Sequence, residues 1–188
     1  MNRILSLLII FFCSALLYGE KSYRVLSRGS VRDNSTGLTW TRCALTSGNK
    51  PIYDFNCSGE KKEFSWEEAL NACENLEYEG RSDWRLPSIR ELQSIIEYKH
   101  YSDSDECSQV HEKAFPNVVE TSQCNNFWVT TQFWSSTLKK STDACGNRDS
   151  WYVDFKYANS GWAHQYNYSA GCTVSSTVKK YVRCVAGP

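Results

Sequence analysis

Asp83-Trp84-Arg85-Leu86-Pro87-Ser88-Ile89-Arg90-Glu91-Leu92 changes backbone state within a few residues. Asp83 to Leu86 reads as a short strand. It runs through Pro87 into Ser88, and Glu91 three positions on completes the reciprocal capping box that opens a helix. Ile89, Leu92, Ile95 and Ile96 then recur at offsets of three and four, the stripe by which a helix buries one face. Upstream, Ser65-Trp66-Glu67-Glu68 is a second capping box, and Trp66, Ala69, Leu70, Cys73 and Leu76 share a face, so Cys73 lies on an apolar side. Further upstream, Val31-Arg32-Asp33 and Leu38-Thr39-Trp40-Thr41-Arg42 flank the turn formers Asn34-Ser35-Thr36-Gly37, a β-hairpin.

Downstream, residues 98–126 show no sustained period, only polar residues, Pro116 and two cysteines, which is long for an unsupported loop. A Cys107 to Cys124 bridge would explain its order. The remainder reads as strands over 127–137, 151–156, 161–168 and 179–185, with Asn159-Ser160-Gly161 as a hairpin turn. Two helices followed by antiparallel strands predict an α+β fold. No internal repeat and no second core are visible, so one domain is expected over residues 22–188.

Arg3 precedes an apolar run from Ile4 to Leu17, and Gly19 then leads into polar Glu20-Lys21-Ser22. That is the pattern of a secretory signal peptide over residues 1–19, too short to span a bilayer. Cys13 falls inside this leader; acylation there would want a small residue upstream, and Phe12 stands in that place. Removing residues 1–19 takes away Arg3 and Cys13, leaving 20 basic and 21 acidic residues and eight cysteines. An even number in an exported chain predicts disulfides, and no Cys-x-x-Cys spacing favours zinc or a redox dithiol. Secretion, or a cell-surface or periplasmic location, is the expectation. Balanced charge offers no basic footprint for nucleic acid.

Taken together, Asp33-Asn34-Ser35-Thr36-Gly37-Leu38-Thr39-Trp40, Trp66-Glu67-Glu68-Ala69-Leu70, the stretch 83–92, Phe133-Trp134-Ser135-Ser136 and Val182-Arg183-Cys184-Val185 resemble the Lcl C-terminal domain family. That family is similar to the C-type-lectin-like fold, which formylglycine-generating enzymes share. The resemblance implies two helices packed on strands, paired N- and C-terminal strands, and a disulfide from the first helix to the last strand, which here joins Cys73 to Cys184. The other six would then pair in order: Cys43 with Cys57, Cys107 with Cys124, Cys145 with Cys172. The best-known member type ends a collagen-like adhesin and binds sulfated glycosaminoglycans through basic residues in a trimer. This chain has neither the collagen repeat nor a basic excess, so that ligand does not simply carry across. Lys139, Lys140, Lys156, Lys179 and Lys180 are candidates for a local patch, although charge runs are usually only solvated.

No catalytic residue, metal or cofactor is expected. The lectin-type calcium triplets Glu-Pro-Asn, Gln-Pro-Asp and Trp-Asn-Asp are absent, Asp103, Asp105 and Glu106 read as a solvated acidic loop, and His100, His111 and His164 lack zinc spacing. There is no Gly-x-Ser-x-Gly elbow, and paired cysteines leave no thiolate. The expected function is non-enzymatic recognition of a glycan or an extracellular protein, in the manner of an adhesin. An envelope structural or protein-interaction role is the alternative, ahead of a formylglycine-generating type of enzyme. The candidate ligand surface runs from Cys145 to Cys172. There Trp162, Tyr166 and Tyr168 would offer ring faces and Arg148 a planar fork for a carboxylate or sulfate. Period-two alternation could equally place those rings in the core. Lys179 and Lys180 form the fallback face.

Overall fold

The computed structural model describes residues 21–98, 107–119, 124, 126, 128, 130–140, 149–169 and 173–187. Residues 1–19, where a leader is expected, and Arg148, Cys145 and Cys172 lie outside them, and with them the expected Cys145 to Cys172 pairing. In chain order the elements are β1 (Tyr23–Val25), β2 (Ser30–Asp33), β3 (Thr39–Thr41), α1 (Trp66–Glu74), α2 (Ile89–Ser94), β4 (Gln132–Lys139), β5 (Asp149–Asp154), β6 (Asn159–His164), β7 (Tyr166–Ser169), β8 (Thr173–Thr177) and β9 (Val185–Ala186). The fold is α+β, with mainly antiparallel strands.

The expected hairpin is β2–β3. Asp33 accepts the Ser35 N–H on Oδ1 at 2.8 Å and the Gly37 N–H on its carbonyl at 2.8 Å, and Gly37 takes φ +74°, a conformation that suits glycine. The sheet order is β1-β2-β3-β9. The C-terminal strand thus joins the N-terminal sheet, but beside β3 and not beside β1. Thr41 fixes this docking, accepting the Cys184 N–H at 3.0 Å on its hydroxyl.

Both helices begin where the capping boxes put them. Ser65 accepts from the Glu68 N–H at 3.2 Å while Glu68 accepts from the Ser65 N–H at 2.8 Å; Ser88 and Glu91 repeat the exchange at 3.3 and 2.7 Å. The strand expected over 83–86 shrinks to one ladder pair, Arg85 with Val185. Its partner β9 has only two residues, and Pro87 has no N–H with which to extend the pairing.

The second sheet, β4-β5-β6, departs from expectation at its edges. β4 starts at Gln132, not 127. The turn after β5 is 155–158, with Ala158 at φ +51°, because Asn159, Ser160 and Gly161 are held in the ladder opposite Asp154, Val153 and Tyr152. Gly161 serves a close approach instead of a turn: a Cβ there would stand 2.7 Å from the Tyr152 hydroxyl. The strand expected over 161–168 is two strands. Buried Gln165 interrupts it, donating Nε2 to Ser150 Oγ at 2.8 Å, and β7 then pairs with β8, a strand the sequence pattern did not announce. Of the strand expected over 179–185, only β9 forms, preceded by isolated bridges from Lys180 to Phe64 and Tyr181 to Phe133.

Two apolar clusters lie on either side of this framework. One gathers Val31, Trp40, Leu92, Ile95, Phe115, Phe133, Val153 and Val185; the other gathers Trp66, Cys73, Trp84, Leu86, Trp134, Val182, Cys184 and Ala186. The C-terminal segment alternates between them, as period-two backbone requires. Residues 107–119, expected to be a polar loop, place Val110, Ala114, Phe115, Val118 and Val119 in the first cluster. Their spacing has no helical or strand period because the segment is built of turns, fastened by Gln109 N–H to the Phe155 carbonyl at 2.8 Å and by the Cys107–Cys124 disulfide. The Cys43–Cys57 and Cys73–Cys184 bridges also form, with Cα separations of 5.4 and 5.5 Å.

Candidate functional site

The β4-β5-β6 sheet ends in an open aromatic and cationic surface. Trp162 on β6 stands opposite Trp151 on β5, so the two side chains emerge on one face. Trp162 keeps 44% of its surface exposed. Lys139 and Asp149 are also cross-strand partners; the Lys139 ammonium lies 3.1 Å from the Trp162 ring centroid and 3.8 Å from an Asp149 oxygen. A cation over an indole face is attracted by the ring quadrupole, and the carboxylate holds that cation in place. The ring therefore sits on a strand with its orientation fixed by neighbours.

The other expected residues divide among different places. Tyr166 and Tyr168 belong to β7, not to the strand of Trp162. They lie in the β7–β8 hairpin, whose base closes through the Val178 N–H to the Gln165 carbonyl at 3.1 Å. The register shifts between Asn167 and Tyr168, so simple alternation does not relate the two tyrosines. Arg148 lies outside the described residues.

Lys179 and Lys180 do not form a shared charged face. Neighbours in extended backbone point to opposite sides. Lys179 is exposed and lines an open cleft of about 490 Å³ with Lys61, Lys62, Tyr181, Glu60 and Glu63. Lys180 turns inward and is buried, its ammonium donating to Gln132 Oε1 and lying 4.2 Å from the Tyr152 and 5.0 Å from the Trp134 ring centroids. Burial pushes its pKa down to about 8, against the opposing charges of Glu63 and Asp154. Lys156, another patch candidate, is buried as well and donates to the Asn126 carbonyl at 2.6 Å. Their long apolar stems fill the core while each head finds an oxygen acceptor. Lys139 and Lys140 remain on the surface side.

Asp149 falls within the expected 145–172 surface, but the sequence assigns it no part in holding Lys139, and the cleft residues Lys61, Lys62 and Tyr181 were not legible as site residues. Asp149 precedes the strand as the sequence pattern bounded it, and only the adjacent Lys61-Lys62 charges marked the cleft. In the cleft, Lys61 is already engaged by the carbonyls of Asn117 at 3.0 Å and Val118 at 3.3 Å, and two glutamates balance its remaining cations.

Fold and site together define a disulfide-crosslinked α+β domain that presents exposed aromatic and cationic groups from the edges of its sheets. The chain belongs to the Lcl C-terminal domain family, whose model matches residues 29–186. No curated protein and no solved structure matches it.

Proposed function

We propose that this is an exported, non-enzymatic binding domain that recognises a glycan or other extracellular surface ligand in the manner of an adhesin. The observation that carries the reading is Trp162: a large ring, 44% exposed, seated on a strand and held by Lys139. Exposed rings of this kind stack on sugar faces or bury against a protein side chain, and a ring already fixed loses little freedom on binding. The leader pattern over residues 1–19 and the three disulfides among the described residues support export, since such crosslinks persist in oxidising compartments. Among the described residues no helix is long and apolar enough to cross a membrane. The bridge from α1 to the C-terminal segment, and the docking of β9 in the N-terminal sheet, support a C-type-lectin-like arrangement.

A glycan array probed with the mature protein, beside its Trp162→Ala variant, tests the reading. The wild type binds a defined glycan class and the variant loses that binding with its melting temperature unchanged. Binding that survives Trp162→Ala but is lost in Lys179→Ala would move the site to the cleft. An empty array, with a specific envelope protein recovered in a pulldown, would favour the protein-interaction alternative.

A further inference from the structure

Arg42 and Arg183 bring two guanidinium groups into one buried corner. Arg183 is 1% exposed and Arg42 6%. The Nη1 of Arg183 donates to the carbonyls of Thr41 at 2.7 Å and Arg42 at 2.5 Å, while its Nε has no partner. Arg42 donates Nη2 to the Lys113 carbonyl at 3.0 Å, while its Nε and Nη1 have none. Both side chains reach the turn over 111–115: Arg42 through that carbonyl, Arg183 through the Phe115 ring, whose centroid is 4.6 Å from its Cζ.

Buried donors without acceptors and buried charges without counter-charges are both costly, and buried polar groups are nearly always satisfied. Here three donor nitrogens and two like charges need compensation together. Among the described residues no carboxylate pairs with either guanidinium. Asp54 offsets part of the Arg42 charge through space, and its carboxylate bonds to the Ser58 N–H at 3.1 Å, not to any of the unpaired guanidinium nitrogens. The rings of Phe115 and Phe133 beside Arg183, and of Phe55 beside Arg42, offset part of the charge but accept no hydrogen bond from the three unpaired nitrogens.

We infer that Arg42 and Arg183 hold a small monovalent anion of halide size, bound by the guanidinium N–H groups that the protein leaves unpaired. A water molecule would satisfy the donors but not the charge, and a corner this buried favours a small ion over a bulky oxyanion. The ion is structural: it joins the end of β3 to the C-terminal segment and to the turn over 111–115, where the first apolar cluster closes. This site is independent of the Trp162 surface.

The mature protein is melted in sodium chloride, sodium bromide and sodium gluconate at equal ionic strength. A specific anion raises the melting temperature in chloride and bromide over gluconate, by about 3 to 6 °C at ten times the half-saturating concentration. Arg42→Gln abolishes that difference. Crystals of the unaltered protein in bromide supply a second readout that does not depend on the folding of the variant, an anomalous peak within hydrogen-bond distance of both arginines. Equal melting temperatures in all three salts would overturn the inference, whether the crystals show water in the corner or a bromide bound at crystal concentration only.

Discussion

Burial pushes the Lys180 ammonium down to about 8 from an ordinary 10.5. Between those values the unfolded chain carries a proton that the folded chain does not, so this residue makes stability rise as pH increases across that window. Below about pH 8 the buried charge costs the fold about 2 to 4 kcal/mol. Lys180→Met is therefore expected to melt at the same temperature or higher at pH 7 and to flatten the rise between pH 8 and 9.5. Thermal melts of both proteins across that range check it. The window stops short of pH 10 because the phenols of Tyr23 and Tyr78, pushed up by burial, retain protons there that the unfolded chain loses, an effect of opposite sign. A Lys180→Met protein whose pH profile matches the wild type would contradict the account.

At the scale of elements, the start of α2 rests on one carboxylate used three ways. Glu91 accepts the Ser88 N–H at 2.7 Å and both Nη groups of Arg85, at 2.9 and 2.6 Å. Burial alone would raise its pKa, but the bonds from Arg85 and Ser88 outweigh burial and hold it below the ordinary carboxylate value of 4.5. Its contribution is complete above pH 4.5 and is lost as pH falls through the depressed value. Ser88→Ala should cost about 1 kcal/mol as a lost cap. Glu91→Gln should cost more at pH 7, and the gap from wild type should narrow towards acid pH; urea melts at pH 7 and pH 3.5 measure both. The helix α1 is fastened differently, by a disulfide closing a span of 111 residues. Replacing Cys73 and Cys184 together by alanine should lower stability by about 2 to 5 kcal/mol, read from the same melts.

Across the whole molecule, the C-terminal segment divides and joins the two cores. Val182, Cys184 and Ala186 enter one cluster, Val185 enters the other, and Arg183 lies against the Phe115 and Phe133 rings on that second side. The same segment supplies β9 and one end of the longest crosslink. A chain truncated after Tyr181 should consequently lose its cooperative thermal transition altogether, instead of melting a few degrees lower, while one truncated after Gly187 should melt like the wild type. Calorimetry distinguishes the two outcomes. A shortened chain that still melts sharply would show that the clusters close without this segment.

By itself, the sequence determined what depends on neighbours a few residues apart. The serine and glutamate of each capping box, the apolar stripes of both helices and the Asn34-Ser35-Thr36-Gly37 turn set their elements through contacts within one turn of chain. The family motifs extended this to the Cys73–Cys184 bridge. Tertiary structure alone decided which residues of weak local preference became core, edge or surface. It drew Val110 and Phe115 into a cluster without any period, split the strand at Gln165 by an Asp149–Asp154 ladder that ends there, and turned Lys179 outward but Lys180 inward. It also set Lys139 over Trp162, joining residues 23 positions apart through the register of β4, β5 and β6. Local pattern reports the free energy of a single turn or strand, whereas burial of a lysine or exposure of a tryptophan depends on the surfaces that distant strands bring against it.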